Sequence, residues 1–245
     1  TILVSVAESV ALYGAPAWPT DTLKLAVNRT RLRRAQRVGA LRVIAAYRTV
    51  SAAAACVLAG TNPWDLKAAE RRRLWGNPQR KKDEERRHTI DLWQEEWAGL
   101  QEGAPGTSLR AVIPDIKEWL NRPGGELTFY TTQILTGHGD FQSYLFRIGK
   151  APSPKCIHCG DGPEDTSDHT ALKCPAWAEQ RVPLLLLMNT PDFNLRDVCK
   201  KMTETLLNWN TTAGVFRAIL QKKTSANHLR RPPLPVAPGE HTRQE

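Results

Sequence analysis

The chain has 245 residues, of which 41% are hydrophobic and 24% charged, a balance that excludes a wholly disordered or fibrous protein. Lys and Arg outnumber Asp and Glu by 34 to 25, giving a formal net charge of +9. The longest strictly aliphatic run is Leu184–Met188, far below the roughly 20 apolar residues of a membrane span, so a soluble protein with no membrane partner is expected.

The chain begins at Thr1 rather than Met, and its apolar start lacks a positive leader and contains Glu8. A secretory signal is therefore not expected, and a start inside a longer, intracellular reading frame is. Gly14 and Pro16 break the run at 12–18. Thr22–Tyr47 is rich in helix formers, with Gly39 a possible split. No carboxylate lies between Asp21 and Asp65, although eight cations do. Residues 1–64 thus carry eight basic and two acidic residues, 65–221 carry 21 of each, and 222–245 carry five and two. An uncompensated arginine run favours a polyanion, so Arg29, Arg31, Arg33, Arg34, Arg37, Arg42 and Arg48 are candidate nucleic-acid contacts. The blander reading is a solvated helix face.

Ser51 is suited to cap a short helix through Leu58, and Asp65 to cap the next, through Leu74. Residues 79–100 read as a charged helix with a seam of Ile90, Trp93, Trp97 and Leu100. Leu109–Leu120 reads as a short helix that Pro114 either interrupts or starts. Apolar residues recur through Leu127–Ile148, but Gly137-His138-Gly139 sits in the middle, where two glycines would cost a helix about 2 kcal/mol. Two helices joined at Gly137–Asp140 are expected. Ala176–Met188 and Leu195–Trp209 are further helices, with Val215–Leu220 extending the second. After Lys223 the apolar pattern stops, and a proline-rich, disordered tail is expected.

The chemistry-bearing motif is Cys156-x2-Cys159-x9-His169-x4-Cys174. Three thiolates and one imidazole make a closed tetrahedral set for a structural zinc, with no open position for catalysis. The segment has almost no apolar content, so metal binding would supply its folding free energy. Disulfides are the rival for an extracellular chain, and His158 is a rival ligand, though it would share a tight turn with both flanking cysteines. Cys56 and Cys199 read as small core residues. Trp177, just after the cluster, is the best stacking candidate, against the commoner reading of a core tryptophan. His138 would touch a phosphate or catalytic partner, or, as is commoner, pack at a helix end. There is no phosphate-binding glycine loop, no adjacent aspartate pair and no two-metal carboxylate site.

Three ordered segments carry a resemblance: the Leu-Tyr-Gly-Ala-Pro-Ala-Trp run at 12–18; Gln36–Ser51 followed by Leu58-Ala59-Gly60; and Leu135–Gly139 with Tyr144–Gly149, leading into Cys156–Cys174. Together they resemble the C-terminal part of the reverse-transcriptase polyprotein of insect non-LTR retrotransposons of the type-1, ribosomal-DNA-inserting and jockey-like kinds. The resemblance implies a mainly α fold. Residues 1–75 would be the helical, duplex-gripping thumb of the polymerase, 76–150 a helical linker, and 151–180 a CCHC zinc knuckle. Residues 181–221 would be C-terminal helices that pack on the knuckle, and 222–245 the basic tail.

The implied parent is an RNA-directed DNA polymerase with endonuclease that inserts by target-primed reverse transcription in the nucleus. The implied partners are element RNA, target DNA and the rest of the polyprotein. The palm carboxylates and endonuclease are absent from this sequence, so no catalytic residue is carried over and magnesium is expected only in those missing domains. The alternative is a stand-alone, non-enzymatic zinc-knuckle protein derived from such an element, which binds nucleic acid or another partner.

Overall fold

The structure, a computed structural model, describes residues 2–19, 21–77, 79–160 and 162–230. Its α-helices are α1 (Ile2–Ala11), α2 (Ala26–Val43), α3 (Ala52–Ala59), α4 (Trp64–Gly76), α5 (Lys82–Ala98), α6 (Thr107–Val112), α7 (Ile116–Leu120), α8 (Phe129–Thr136), α9 (Gln142–Arg147), α10 (Ala178–Met188), α11 (Leu195–Glu204) and α12 (Leu206–Arg230). Among the described residues there is no strand, only one antiparallel bridge, Lys155 to Glu164. The fold is mainly α, as expected.

Local chemistry accounts for many of the boundaries. The Ser51 hydroxyl accepts the Ala54 amide to start α3, and Gly60 closes that helix in the left-handed region at φ +64°. Pro114 separates α6 from α7, and Asp115 caps α7 by accepting from the Lys117 and Glu118 amides. The expected break in 127–148 falls where Gly137, at φ +67°, ends α8. Asn194 and Asp197 form a reciprocal capping box at α11.

Five details differ from the sequence expectation. Gly39 does not split α2. A Cβ there would lie 3.1 Å from Val4, so the glycine lets α1 cross α2 closely. Asp65 caps nothing; its buried carboxylate receives Arg33. The buried seam of α5 runs through Thr89, Trp93 and Trp97 rather than Ile90 and Leu100, which are only half-buried. Thr205 divides the stretch read as one helix from 195 to 220. Its extended backbone ends α11, and its hydroxyl accepts the Asn208 amide to start α12. That last helix runs to Arg230, well into the stretch read as tail; the rest of the tail, 231–245, lies outside the described residues.

Among the described residues two main cores form, and each draws on several of the segments marked off in the sequence. The first gathers Leu41 from α2 and Ile44 just after it, the apolar face of α3, Trp93 and Trp97, Trp119, Leu135, Met202 and Trp209. The second gathers Ile134, Phe141 and Tyr144 with Cys156, Leu172, Cys174 and Trp177, then Leu184, Val198, Phe216 and Ile219. Helices α8, α11 and α12 contribute to both. The Cys/His segment is therefore packed into a core and is not an appendage. A third, smaller cluster of Leu12, Ala15, Trp64 and Ala68 seats the 12–18 turn on α4.

Candidate metal centre and nucleic-acid face

The Cys/His segment is built from two pieces. The Cys156 amide donates to Pro163 O and the Asp165 amide to Pro154 O, both at 2.9 Å, closing a short hairpin that carries Cys156 and Cys159 at its turn. Gly160 in that turn lies at φ +72°, a conformation side chains disfavour. The second piece is a π-helical turn, His169–Lys173. The Cys174 amide donates to His169 O at 2.7 Å, the bond between residues five apart that defines a π turn. This wide turn is what brings the two ends of His-x4-Cys to one side.

The four ligand atoms of Cys156, Cys159, His169 and Cys174 all lie within 4.8 Å of one another. Cys159 Sγ is 3.2 Å from Cys174 Sγ and 3.4 Å from His169 Nε2, and Cys156 Sγ is 3.9 Å from Cys174 Sγ. A tetrahedral zinc with sulfurs near 2.3 Å sets neighbouring sulfurs about 3.8 Å apart. The group can hold one metal ion, and its geometry and donor set are compatible with zinc. Burial pushes the Cys174 thiol up to about 12, with the neighbouring thiols adding to the effect, and burial raises Cys159 as well. Thiols crowded in this way stay protonated until a cation compensates them. Burial lowers His169, which keeps its ring neutral, the form a metal requires.

His158 turns away from the group and packs edge-on against Trp177, with ring centroids 4.8 Å apart. Trp177 itself is 3% exposed and belongs to the second core. It presents no face to a base, which corrects its reading as a stacking residue. Cys56 and Cys199 are core residues as read, their thiols pushed up to about 12 by burial.

Three residues that support the centre escaped the sequence reading. Arg181, buried on α10, donates to Ala171 O at 2.9 Å and Cys174 O at 2.7 Å. It ties off the π turn and brings a cation beside the sulfurs. Lys223 and Asp165 form an ion pair with no solvent exposure on either side chain. Lys223 Nζ meets both Asp165 oxygens at 2.8 and 2.7 Å and Thr170 Oγ1 at 2.9 Å, while Asp165 also accepts the Gln142 amide at 2.8 Å. The pair fastens α12 and α9 to the metal segment. A sequence signal for Lys223 existed: it continues the stripe of Phe216, Ile219 and Leu220 at helical spacing. Arg181 had none.

The arginines divide into two groups. Arg29, Arg31, Arg34, Arg42 and Arg48 are exposed. Arg31, Arg34 and Arg42 recur with Val38 at three- and four-residue steps on one face of α2. Arg33 and Arg37 are engaged internally, contrary to their reading as contacts. Arg33 forms a two-pronged bond to Asp65 at 2.8 and 2.6 Å and reaches Glu96 at 2.8 Å. Arg37 donates to Val50 O at 2.9 Å and to Arg48 O, which fixes the loop after α2. His138 is a packing histidine. Its Nδ1 bonds Thr49 Oγ1 at 3.0 Å, the same hydroxyl that meets the Tyr144 hydroxyl at 2.7 Å, and its ring stacks on Tyr144. Segments of the sequence nearly a hundred residues apart are joined there.

Fold and site together define a helical protein clasped around one Cys3His centre. Its homologues are Pol polyproteins of R1 type-1 non-LTR retrotransposable elements of insects. The chain is 31% identical over 163 residues to a retrovirus-related Pol polyprotein from Nasonia vitripennis, covering 57% of this chain and 39% of that protein. It is 30% identical over 202 residues to a putative 115 kDa protein of such an element in Drosophila melanogaster, covering 74% of this chain and 19% of that one. A Pol polyprotein from Bradysia coprophila is 28% identical over 69% of this chain and 18% of its own length. The chain thus spans well under half the length of these curated relatives. No family model and no solved structure matches it. No helix among the described residues is long and apolar enough to cross a membrane.

Proposed function

We propose that this chain is the C-terminal nucleic-acid-binding part of a retrotransposon RNA-directed DNA polymerase and endonuclease, one that inserts by target-primed reverse transcription in the nucleus. Its partners are element RNA, target DNA and the remainder of the polyprotein. It carries no polymerase active site, so synthesis and cleavage, with their magnesium, belong to the rest of that polyprotein. Residues 1–75 act as thumb and 76–150 as linker. Residues 151–180 form a structural zinc knuckle held by Cys156, Cys159, His169 and Cys174. Zinc supplies cross-linking, and the residues around it orient the ligands and join the segment to α9, α10 and α12.

The observation that carries the reading is the exposed arginine face of α2. Arg31, Arg34 and Arg42 stand together without carboxylates along the helix, and similarity to Pol polyproteins supports nucleic acid as the polyanion such a face would meet. Phosphate contacts of this kind give affinity without sequence preference. The test is charge reversal. Arg31→Glu, Arg34→Glu and Arg42→Glu together are expected to abolish measurable binding of labelled RNA and duplex DNA in fluorescence anisotropy, with circular dichroism unchanged. Wild-type affinity in the triple variant would overturn the reading.

A further inference from the structure

A cleft of about 760 Å³ opens between the loop after α2 and helices α8 and α9. That volume lies within the roughly 300–1,000 Å³ of ligand-sized pockets. Tyr47 and Arg48 line it from the loop, Phe129 from α8, Tyr144 from α9, and Asp140 and Lys150 from the adjoining turns. The rings of Tyr47 and Phe129 sit 5.5 Å apart, tilted by 50°, yet remain 39% and 42% exposed. Phe129 also meets the Tyr130 ring edge to face at 5.8 Å, and the surface that the pair leaves exposed is available to a further planar group.

Two cations, Arg48 and Lys150, line the same cleft. Arg48 and Lys150 are exposed, and Arg147 lies over the Tyr144 ring at 5.4 Å. The cleft's carboxylate, Asp140, is engaged by the Asn227 side-chain amide at 2.7 Å. The Thr49 hydroxyl, bonded to both Tyr144 and His138, holds the loop to α9, and the Thr132 hydroxyl on α8 donates to Ile44 O at 2.6 Å, so the loop that carries Tyr47 is tied to both helices.

We propose that this cleft takes an unpaired base of single-stranded nucleic acid, stacked on Tyr47 and Phe129, with the neighbouring phosphates on Arg48 and Lys150. The proposal rests on the nucleic-acid reading above and adds the state of the strand. In a duplex both faces of each base are covered by stacking, so only an unpaired base can offer its π face to the rings.

The test uses the full chain loaded with zinc and three labelled probes of equal length: oligouridine, oligothymidine and duplex DNA. Tyr47→Ala with Phe129→Ala is expected to weaken binding of one or both single strands about tenfold, leaving the duplex affinity as in the wild type. Tyr47→Phe keeps the ring and should keep single-strand affinity. Arg48→Gln with Lys150→Gln, which leaves the aromatic pair intact, should reduce the single-strand salt slope by about one to two. A wild type that binds no probe overturns both readings. A wild type that binds, with single-strand affinity unchanged in the aromatic variant or lost equally on the duplex, overturns the cleft alone.

Discussion

Lys223 carries its ammonium to a place with no solvent exposure, where Asp165 and Thr170 take all three of its protons within 2.9 Å. Removing one member of such a pair leaves the other charged and unsolvated, which typically costs about 3–5 kcal/mol. Lys223→Met should therefore lower the unfolding free energy by about that amount in urea titrations, and a loss under about 1 kcal/mol would contradict the role given to the pair. His138 makes a different case. Burial, with Arg147 adding to it, lowers its pKa to about 4, whereas the unfolded chain takes up the proton near 6.5. Between those values the unfolded state binds more protons, so stability falls as pH falls through that window. The His138 ring should titrate near 4 by NMR, and His138→Asn should remove part of the acid-induced loss. A midpoint near 6.5 would show the ring to be freely solvated. The Cys3His group was legible as a spacing, because tetrahedral thiolate and imidazole coordination would constrain sequence directly. Arg33 and Trp177 were misread because residue type alone does not say whether a guanidinium has found Asp65 or an indole has found a core.

At the scale of elements, α8, α11 and α12 each feed two cores, and the metal segment sits in the second. Stripping the metal with a chelator, or Cys156→Ser, should therefore loosen more than a knuckle. Hydrogen exchange is expected to speed up in α9, α10 and the C-terminal half of α12, while α3 and α5, whose partners are in the first core, keep their protection. Uniform loss across the chain, or none outside 151–180, would show that the cores are not coupled to the centre as described. Helix starts and stops were the most readable part of the sequence, since Ser51, Pro114 and Gly137 act through local backbone chemistry. The crossing at Gly39 was not readable, because the residue that requires it, Val4, lies on another helix. The division at Thr205 was hidden by an apolar stripe that continues across it.

For the whole molecule, a charge of +9 is shared between internal structure and an outward face. Arg33, Arg37, Arg181 and Lys223 spend their donors inside, while Arg29, Arg31, Arg34, Arg42 and Arg48 stay exposed. Composition pointed to a polyanion; only the fold separates the two populations. Phosphate binding by this face can be read from the affinity of the zinc-loaded chain for RNA and duplex DNA across a range of salt. Release of condensed counterions predicts that log affinity falls linearly with log salt, by about 0.9 for each duplex phosphate neutralised. A slope of about three or more is expected if Arg31, Arg34 and Arg42 all engage, and a flat dependence would contradict the account.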